Sequence, residues 1–294
     1  MTTTLIPSLL NKKLVMITGK GGIGKTLMSS ALGQLSAATK RHPTRGVLLA
    51  ESAAHDQLTP TFGLPAVGHL ETKVAEGLTC INLSAAGNFR EYITKYLGQK
   101  VLFDTVFNHR VVKSFFNTIP GLAEVMLLGR IFYSLELSEH KYDQVIFDGA
   151  ASGHFHSLMT TPDAIISSGL AGPLVKETRR IRDYLADATK CALVIVATPE
   201  ELVVAETLDF LPKLIKASPV QVAGVILNRM PPRVSGPGRG AAESYLEHRY
   251  LRAAKVRETL REGLRDLPMI EVPEFGFVDE PLPTDFYKFL SGVG

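Results

Sequence analysis

Gly19-Lys20-Gly21-Gly22-Ile23-Gly24-Lys25-Thr26 lies between the apolar run Leu14-Val15-Met16-Ile17 and a set of residues spaced for a helix, Leu27, Met28, Ala31, Leu32 and Leu35. Strand, glycine-rich turn and helix, in that order, are the context a phosphate-binding loop needs. Glycines let backbone N–H groups turn inward on a phosphate without side-chain clash. Lys25 is placed to reach the β- and γ-phosphates of a nucleotide, and the Thr26 hydroxyl to hold Mg²⁺. Gly21, Gly22, Ile23, Gly24 and Leu27 complete the expected nucleotide contacts. Lys20 is the excess feature, because an ordinary phosphate loop does not need a second lysine at its front.

The 294 residues suffice for one large domain or two small ones. A hydrophobic content of 45% with 21% charged residues places the chain among soluble globular proteins. The net charge of +3 is too small to argue for nucleic acid without a local basic patch. Cys80 and Cys191 each sit in an apolar run and read as buried small residues, which makes the reducing cytoplasm the expected compartment. Met1 to Asn11 lacks the basic start of a signal peptide and reads as a flexible N-terminus, residues 1–11. No uninterrupted apolar run is long enough to span a membrane.

Strand-like runs recur at Leu14–Ile17, Val47–Leu49, Leu78–Leu83, Gln144–Phe147, Ala192–Val196, Val222–Leu227 and Met269–Val272. They are rich in Val and Ile and lack polar alternation, as do strands of a sheet covered on both faces. Helical patterns separate them, including Leu27–Ala38, Glu200–Ala217 and Ala241–Gly263. The expected fold is therefore α/β: a doubly wound, mostly parallel sheet with helices on both faces, in one domain spanning residues 1–294. Long helical segments at 84–140 and 162–188 interrupt the strand rhythm. They read either as an inserted helical subdomain or as helices covering the sheet. Val234 to Gly240 reads as a loop. The helix carrying Arg249, Arg252, Lys255, Arg257, Arg261 and Arg265 reads as a solvated face offset by Glu247, Glu258 and Glu262, in preference to a basic binding patch.

A second site begins at Tyr142-Asp143-Gln144-Val145-Ile146-Phe147-Asp148-Gly149, a buried strand ending in a carboxylate. In a phosphate-loop protein, a carboxylate at a strand end holds Mg²⁺ through water. Ala150-Ala151-Ser152-Gly153-His154 follows and reads as a segment flexible enough to sense a γ-phosphate.

Gly19 to Thr26 resembles the deviant phosphate loop of the dimerising ATPases, whose members include MinD-like, ParA-like, nitrogenase-reductase-like and ArsA-like proteins. Three further pieces resemble the ArsA-like branch, which contains the arsenite-pump ATPase and the ATPase that targets tail-anchored proteins. Asp148 to His154 is similar to the family's D-T-A-P-T-G-H switch II. Thr198-Pro199-Glu200-Glu201, with Glu206-Thr207, is similar to the piece at the start of a later helix. Ser52-Ala53-Ala54-His55 is similar to the D-P-A-H switch I. The likeness runs over roughly residues 13–277.

The resemblance implies a P-loop NTPase fold that binds ATP and Mg²⁺, with Thr26 and Asp148 at the metal and Lys20, Lys25, Ser52 and Asp148 in catalysis. It implies that Lys20 crosses a two-fold interface to the nucleotide of the facing subunit, that Asn228 reads adenine, and that Pro273 and Glu274 complete the adenine pocket. The implied assembly is a homodimer, or a heterodimer with a paralogous ATPase, acting on an unidentified protein client. A membrane link would come only through a partner.

The chain departs from the pattern at Ser52, which stands where the family has a water-positioning aspartate. ATP binding with slow hydrolysis is the expectation. Glu51 and Asp56 are nearby carboxylates; Glu51 would face away from Ser52 on an extended strand end. The chain also lacks the C-x-x-C pair of tail-anchored-protein-targeting members and the cysteine trio that binds arsenite. Two other readings remain open: a nucleotide-binding regulatory subunit with little activity, paired with a competent paralogue, and a MinD- or ParA-like positioning ATPase.

Overall fold

β1 (Leu14–Gly19) is buried along its whole length, and neighbours pair with it on both sides, β5 (Gln144–Ala151) and β6 (Cys191–Ala197), both parallel. A strand covered on both edges and both faces must be apolar throughout, as Leu14 to Ile17 is. The computed structural model describes residues 5–39, 46–66, 68–84, 120–136, 142–169, 171–233, 240–275 and 284–292. In it the sheet has eight strands in the order β3-β4-β2-β5-β1-β6-β7-β8. The flanking strands are β2 (Val47–Glu51), β4 (Leu78–Asn82), β7 (Val222–Met230) and β8 (Met269–Pro273), all parallel. This is the doubly wound α/β sheet expected from the pattern of buried runs.

β3 (Thr72–Ala75) is an addition that the sequence did not suggest. It pairs antiparallel with β4 at the sheet edge, and its burial alternates between half-buried and exposed. Thr-Lys-Val-Ala is too short and too polar to register as a buried run, and its pairing depends on the turn at Glu76-Gly77.

Helix α1 (Leu5–Leu10) replaces the flexible N-terminus expected there. Leu5, Ile6 and Leu9 are buried. The buried Gln144 amide donates to Leu9 O at 2.9 Å and to Lys12 O at 2.8 Å, fixing the end of the helix to β5. Gly224 in β7 makes room for Leu5, whose Cδ2 lies 2.7 Å from where a Cβ would sit. A six-residue helix has no stability of its own, so tertiary burial makes it.

Helix α2 (Lys25–Thr39) lies across β1, β2 and β5, with Met28, Ala31, Leu32 and Leu35 inward. A short helix, α3 (Leu58–Thr61), follows β2 and packs against α2. Three further helices, α4 (Leu122–Glu136), α5 (Ser152–Ser167) and α6 (Pro173–Leu185), pack against one another, and α4 and α5 also touch β5. Residues 85–119 and 137–141 of the expected helical insertion, with Phe89, Ile93, Tyr96, Leu97, Val111, Val112, Phe115 and Phe116, lie outside the described residues. So do residues 234–239 of the expected loop.

Helix α7 (Glu201–Ala217) packs on α5 and on α8 (Ala241–Leu264). The basic helix α8 is the solvated face expected. Arg257 and Arg261 pair with Glu258 and Glu271, and Arg249 with Glu274, while Val256, Leu260 and Leu264 are buried. Helix α9 (Thr284–Gly292) packs against α2, with Phe286 and Leu290 buried and Phe286 4.3 Å from the ring of Phe275. Among the described residues, no helix is long and apolar enough to cross a membrane.

Leu9 is 0% exposed, so Leu9→Ala is expected to cost about 2–5 kcal/mol of unfolding free energy in urea titration. A flexible N-terminus would give a value near zero.

Candidate functional site

The loop between β1 and α2 is shaped by two close approaches. Gly19 has φ +147°, and a Cβ there would collide with Val196 O at the end of β6. Gly24 has φ +94°, and a Cβ there would lie 2.5 Å from the Asn228 amide nitrogen. Only glycine tolerates both the backbone and the crowding. Gly21 and Gly22 differ, since a Cβ on either would meet nothing within 4 Å. The outer arm of the loop is therefore open while its base is wedged against the sheet. α2 begins at Lys25, so the first-turn N–H groups and the positive end of the helix dipole face this arm.

Asp148 is the centre of the site. It sits at the carboxyl end of β5, paired in register with Ile17 of β1 and with Glu51 of β2, and is 8% exposed. Thr26 Oγ1 donates to its Oδ2 at 2.6 Å, and Ser29 Oγ donates to its Oδ1 at 3.0 Å. Burial pushes the Asp148 carboxyl above its ordinary range, while the two hydroxyls and the Lys25 charge pull it back. Burial in turn lowers the Lys25 ammonium, against the attraction of Asp148. Lys25 Nζ donates to Lys20 O at 2.9 Å, bridging the front and back of the loop. Thr26 and Asp148 are thus brought together as expected. Ser29 was missed; its signal was its place one turn beyond Thr26 on the same helix face.

These donors suit Mg²⁺, a hard cation that takes oxygen ligands and binds through one or two carboxylates beside substrate phosphate. The open arm at Gly21 and Gly22, with the first turn of α2, suits a polyphosphate.

The other expected residues are distributed around this centre. Lys20 Nζ pairs with Glu206 on α7, 3.0 Å from each carboxylate oxygen, and both side chains are well exposed. Ser52 is exposed just after β2. The segment behind it is clamped, since Asn82 accepts from Ala53 N at 3.1 Å and donates to Ala53 O at 3.0 Å. Glu51 is 2% exposed, and its Oε1 accepts from Gln57 N at 2.7 Å and Leu58 N at 3.3 Å. Asp56 accepts from Thr59 N at 3.1 Å and from the Thr59 hydroxyl. Both neighbouring carboxylates are therefore engaged with the α3 end of the loop.

Asn228 is 1% exposed at the end of β7, and its amide donates to Ile23 O at 2.8 Å. Pro273 ends β8, and Glu274 beyond it donates its N–H to Met230 O at 2.8 Å while its carboxylate pairs with Arg249. Within Asp148 to His154, β5 continues to Ala151 and α5 starts at Ser152. Gly149 is wedged, its Cβ position blocked by Ile17 O and by the Phe155 ring.

A family model described as anion-transporting ATPase (ArsA ATPase) matches residues 12–171. The chain belongs to the ArsA-like ATPase family. The match takes in the loop, Ser52 and Asp148 together. Among similar proteins, ATPase BagA of Mycobacterium tuberculosis is 25% identical over 226 residues, covering 74% of this chain and 65% of the relative. An ATPase ASNA1 homolog of Trypanosoma cruzi is 27% identical over 277 residues, 76% of each chain. ATPase ARSA1 of Chlamydomonas reinhardtii is 24% identical over 323 aligned positions, 89% of this chain and 41% of the relative. The chain thus spans 65% of the length of the first of these relatives.

Burial raises the Glu51 carboxyl to about 7, with Asp56 and Asp148 adding to the rise and the Gln57 and Leu58 amides opposing it. The folded state therefore holds this proton more tightly than the unfolded chain, whose carboxyl has its ordinary value of 4.5. The associated stability is fully present below that value and is lost as pH rises through about 7. Glu51→Gln is expected to flatten the fall in Tm between about pH 5 and pH 8 and to exceed the parent protein at the upper end. Parallel melting curves for the two proteins would overturn this.

Proposed function

We propose that the chain is an ATP-binding, ATP-hydrolysing switch that works as a dimer and couples its nucleotide state to a partner protein in the cytoplasm. The observation that carries this reading is Thr26 Oγ1 held 2.6 Å from the buried Asp148 carboxylate, directly after the glycine loop. Loop N–H groups and the first turn of α2 would bind phosphate oxygens. Lys25 would leave Lys20 O for the β- and γ-phosphates. Thr26 and Asp148 would hold Mg²⁺, which supplies charge neutralisation for the transferring phosphoryl group.

Lys20 would act in the facing subunit. Its bond to Glu206 is an exposed ion pair, worth about 1 kcal/mol or less, so releasing it costs little. A cation delivered across the two-fold stabilises charge that develops in transfer. ATP binding and dimer closure would then depend on each other.

A water must also be oriented. Ser52 has a hydroxyl but no charge, and Glu51 and Asp56 are occupied by backbone amides. Hydrolysis would therefore be slow in the isolated chain. The same observation favours a second reading, a regulatory subunit that donates Lys20 to a competent paralogue. A membrane-positioning role has less support, because α9 buries Phe286 and Leu290.

Single-turnover hydrolysis and sedimentation with Mg-ATP test the proposal. Lys25→Ala should abolish detectable ATP binding. Lys20→Ala should leave binding of ATP to the monomer within about threefold while lowering turnover by roughly a hundredfold, the scale of one lost transition-state donor. Glu206→Gln should favour the dimer by at most about fivefold, the scale of one surface pair. Full turnover by Lys20→Ala would overturn the shared site. Activity that appears only with a co-purifying paralogue would establish the second reading.

A further inference from the structure

We propose that Ser29 is a positioning residue for the divalent cation, its hydroxyl fixing the plane of the Asp148 carboxylate through the oxygen that Thr26 does not hold. The proposal rests on the nucleotide-binding reading above.

Asp148 is gripped at both oxygens by one helix. Thr26 Oγ1 donates to Oδ2 at 2.6 Å, and Ser29 Oγ donates to Oδ1 at 3.0 Å. Residues three apart on a helix share a face, so both hydroxyls meet the carboxylate from α2. The torsion that turns an aspartate carboxylate about its Cβ–Cγ bond is soft. A bond to one oxygen leaves that rotation open, and bonds to both close it. Each carboxylate oxygen has further acceptor capacity, so neither bond uses up the oxygen it holds.

The two hydroxyls are not equivalent. Thr26 is itself placed at the cation in the reading above, so its oxygen has two tasks. Ser29 has one. It is 0% exposed, and its Oγ lies 3.0 Å from Lys25 O as well as from Asp148 Oδ1. A hydroxyl has one proton, and a charged acceptor draws it more strongly than a neutral carbonyl. The proton therefore points to the carboxylate. The neighbouring Ser30 is a contrast within the same helix. It is also 0% exposed, but its hydroxyl meets Thr61 Oγ1 at 3.0 Å on α3, a contact between two neutral groups. Groups that orient a metal ligand without touching the metal govern its affinity.

Ser29→Ala removes the hydroxyl and leaves a good helix former. Mn²⁺ is the probe: it takes the oxygen ligands that Mg²⁺ takes, and electron paramagnetic resonance reads its binding without turnover. Each protein is titrated twice, with a fluorescent ADP analogue in EDTA and with Mn²⁺ at saturating ADP. Ser29→Ala should bind the analogue in EDTA within about twofold of the parent and Mn²⁺ roughly tenfold more weakly. Ser30→Ala should match the parent within about twofold in both titrations.

Unchanged Mn²⁺ affinity in Ser29→Ala would overturn the proposal. So would a loss shared equally by its two titrations, which marks a disturbed loop, or an equal loss of Mn²⁺ affinity in Ser30→Ala. Ser29→Cys keeps a side chain of similar shape with a weaker donor, and gives a second reading that does not depend on Ser29→Ala folding. Its Mn²⁺ affinity should fall below that of the parent, and parent-like affinity would count against a directing hydroxyl. A parent protein that binds ADP in neither titration would sink the nucleotide-binding reading itself, and this proposal with it.

Discussion

A single carboxylate, Asp148, is taken nearly out of water at the end of β5, and the surrounding structure is arranged to make that tolerable. Burial disfavours its charge. Two hydroxyls, from Thr26 and Ser29, and the Lys25 ammonium oppose that cost. These groups are on α2, and the carboxylate is on β5, so the arrangement exists only if α2 lies across the sheet next to β5. The central placement of β1, paired with β5 on one side and β6 on the other, enforces it. The glycine loop is short because it has only to carry the chain from β1 to the start of α2.

The loop is itself held from below. Val196 at the end of β6 crowds Gly19, and Asn228 at the bulge in β7 crowds Gly24 and binds Ile23 O. Both contacts come from strands on the β6 side of β1. The Asp148 contacts come from the β5 side. The phosphate loop is thus wedged between two halves of the sheet, and its rigid base leaves an open arm at Gly21 and Gly22. The more exposed groups, Lys20 with Glu206 and Ser52 beyond β2, lie outside this wedge.

Much of this was legible in the chain. Runs such as Leu14–Ile17 and Ala192–Val196 announce central parallel strands because burial on both faces leaves no polar alternation. The loop announces itself by glycine spacing and by Lys25-Thr26. Three features were not legible. α1 is too short to show a period, and only the pocket beside Gly224 and the Gln144 amide make it a helix. β3 depends on its neighbour for pairing. The bond from the Asn228 amide to Ile23 O depends on strand order and on the register shift between Leu227 and Met230, which no local pattern shows.

The sequence by itself determined the α/β class, the phosphate loop and the carboxylate that answers it. Each of these is written in a local pattern of apolar runs, glycines and the residue at a strand end. Only the tertiary structure decided what each side chain meets. The bonds Thr26–Asp148, Lys20–Glu206 and Asn228–Ile23 join residues 122, 186 and 205 positions apart. No local pattern encodes such a distance. It is set by strand order, by the bulge in β7 and by the helix packing that brings those ends of the sheet together.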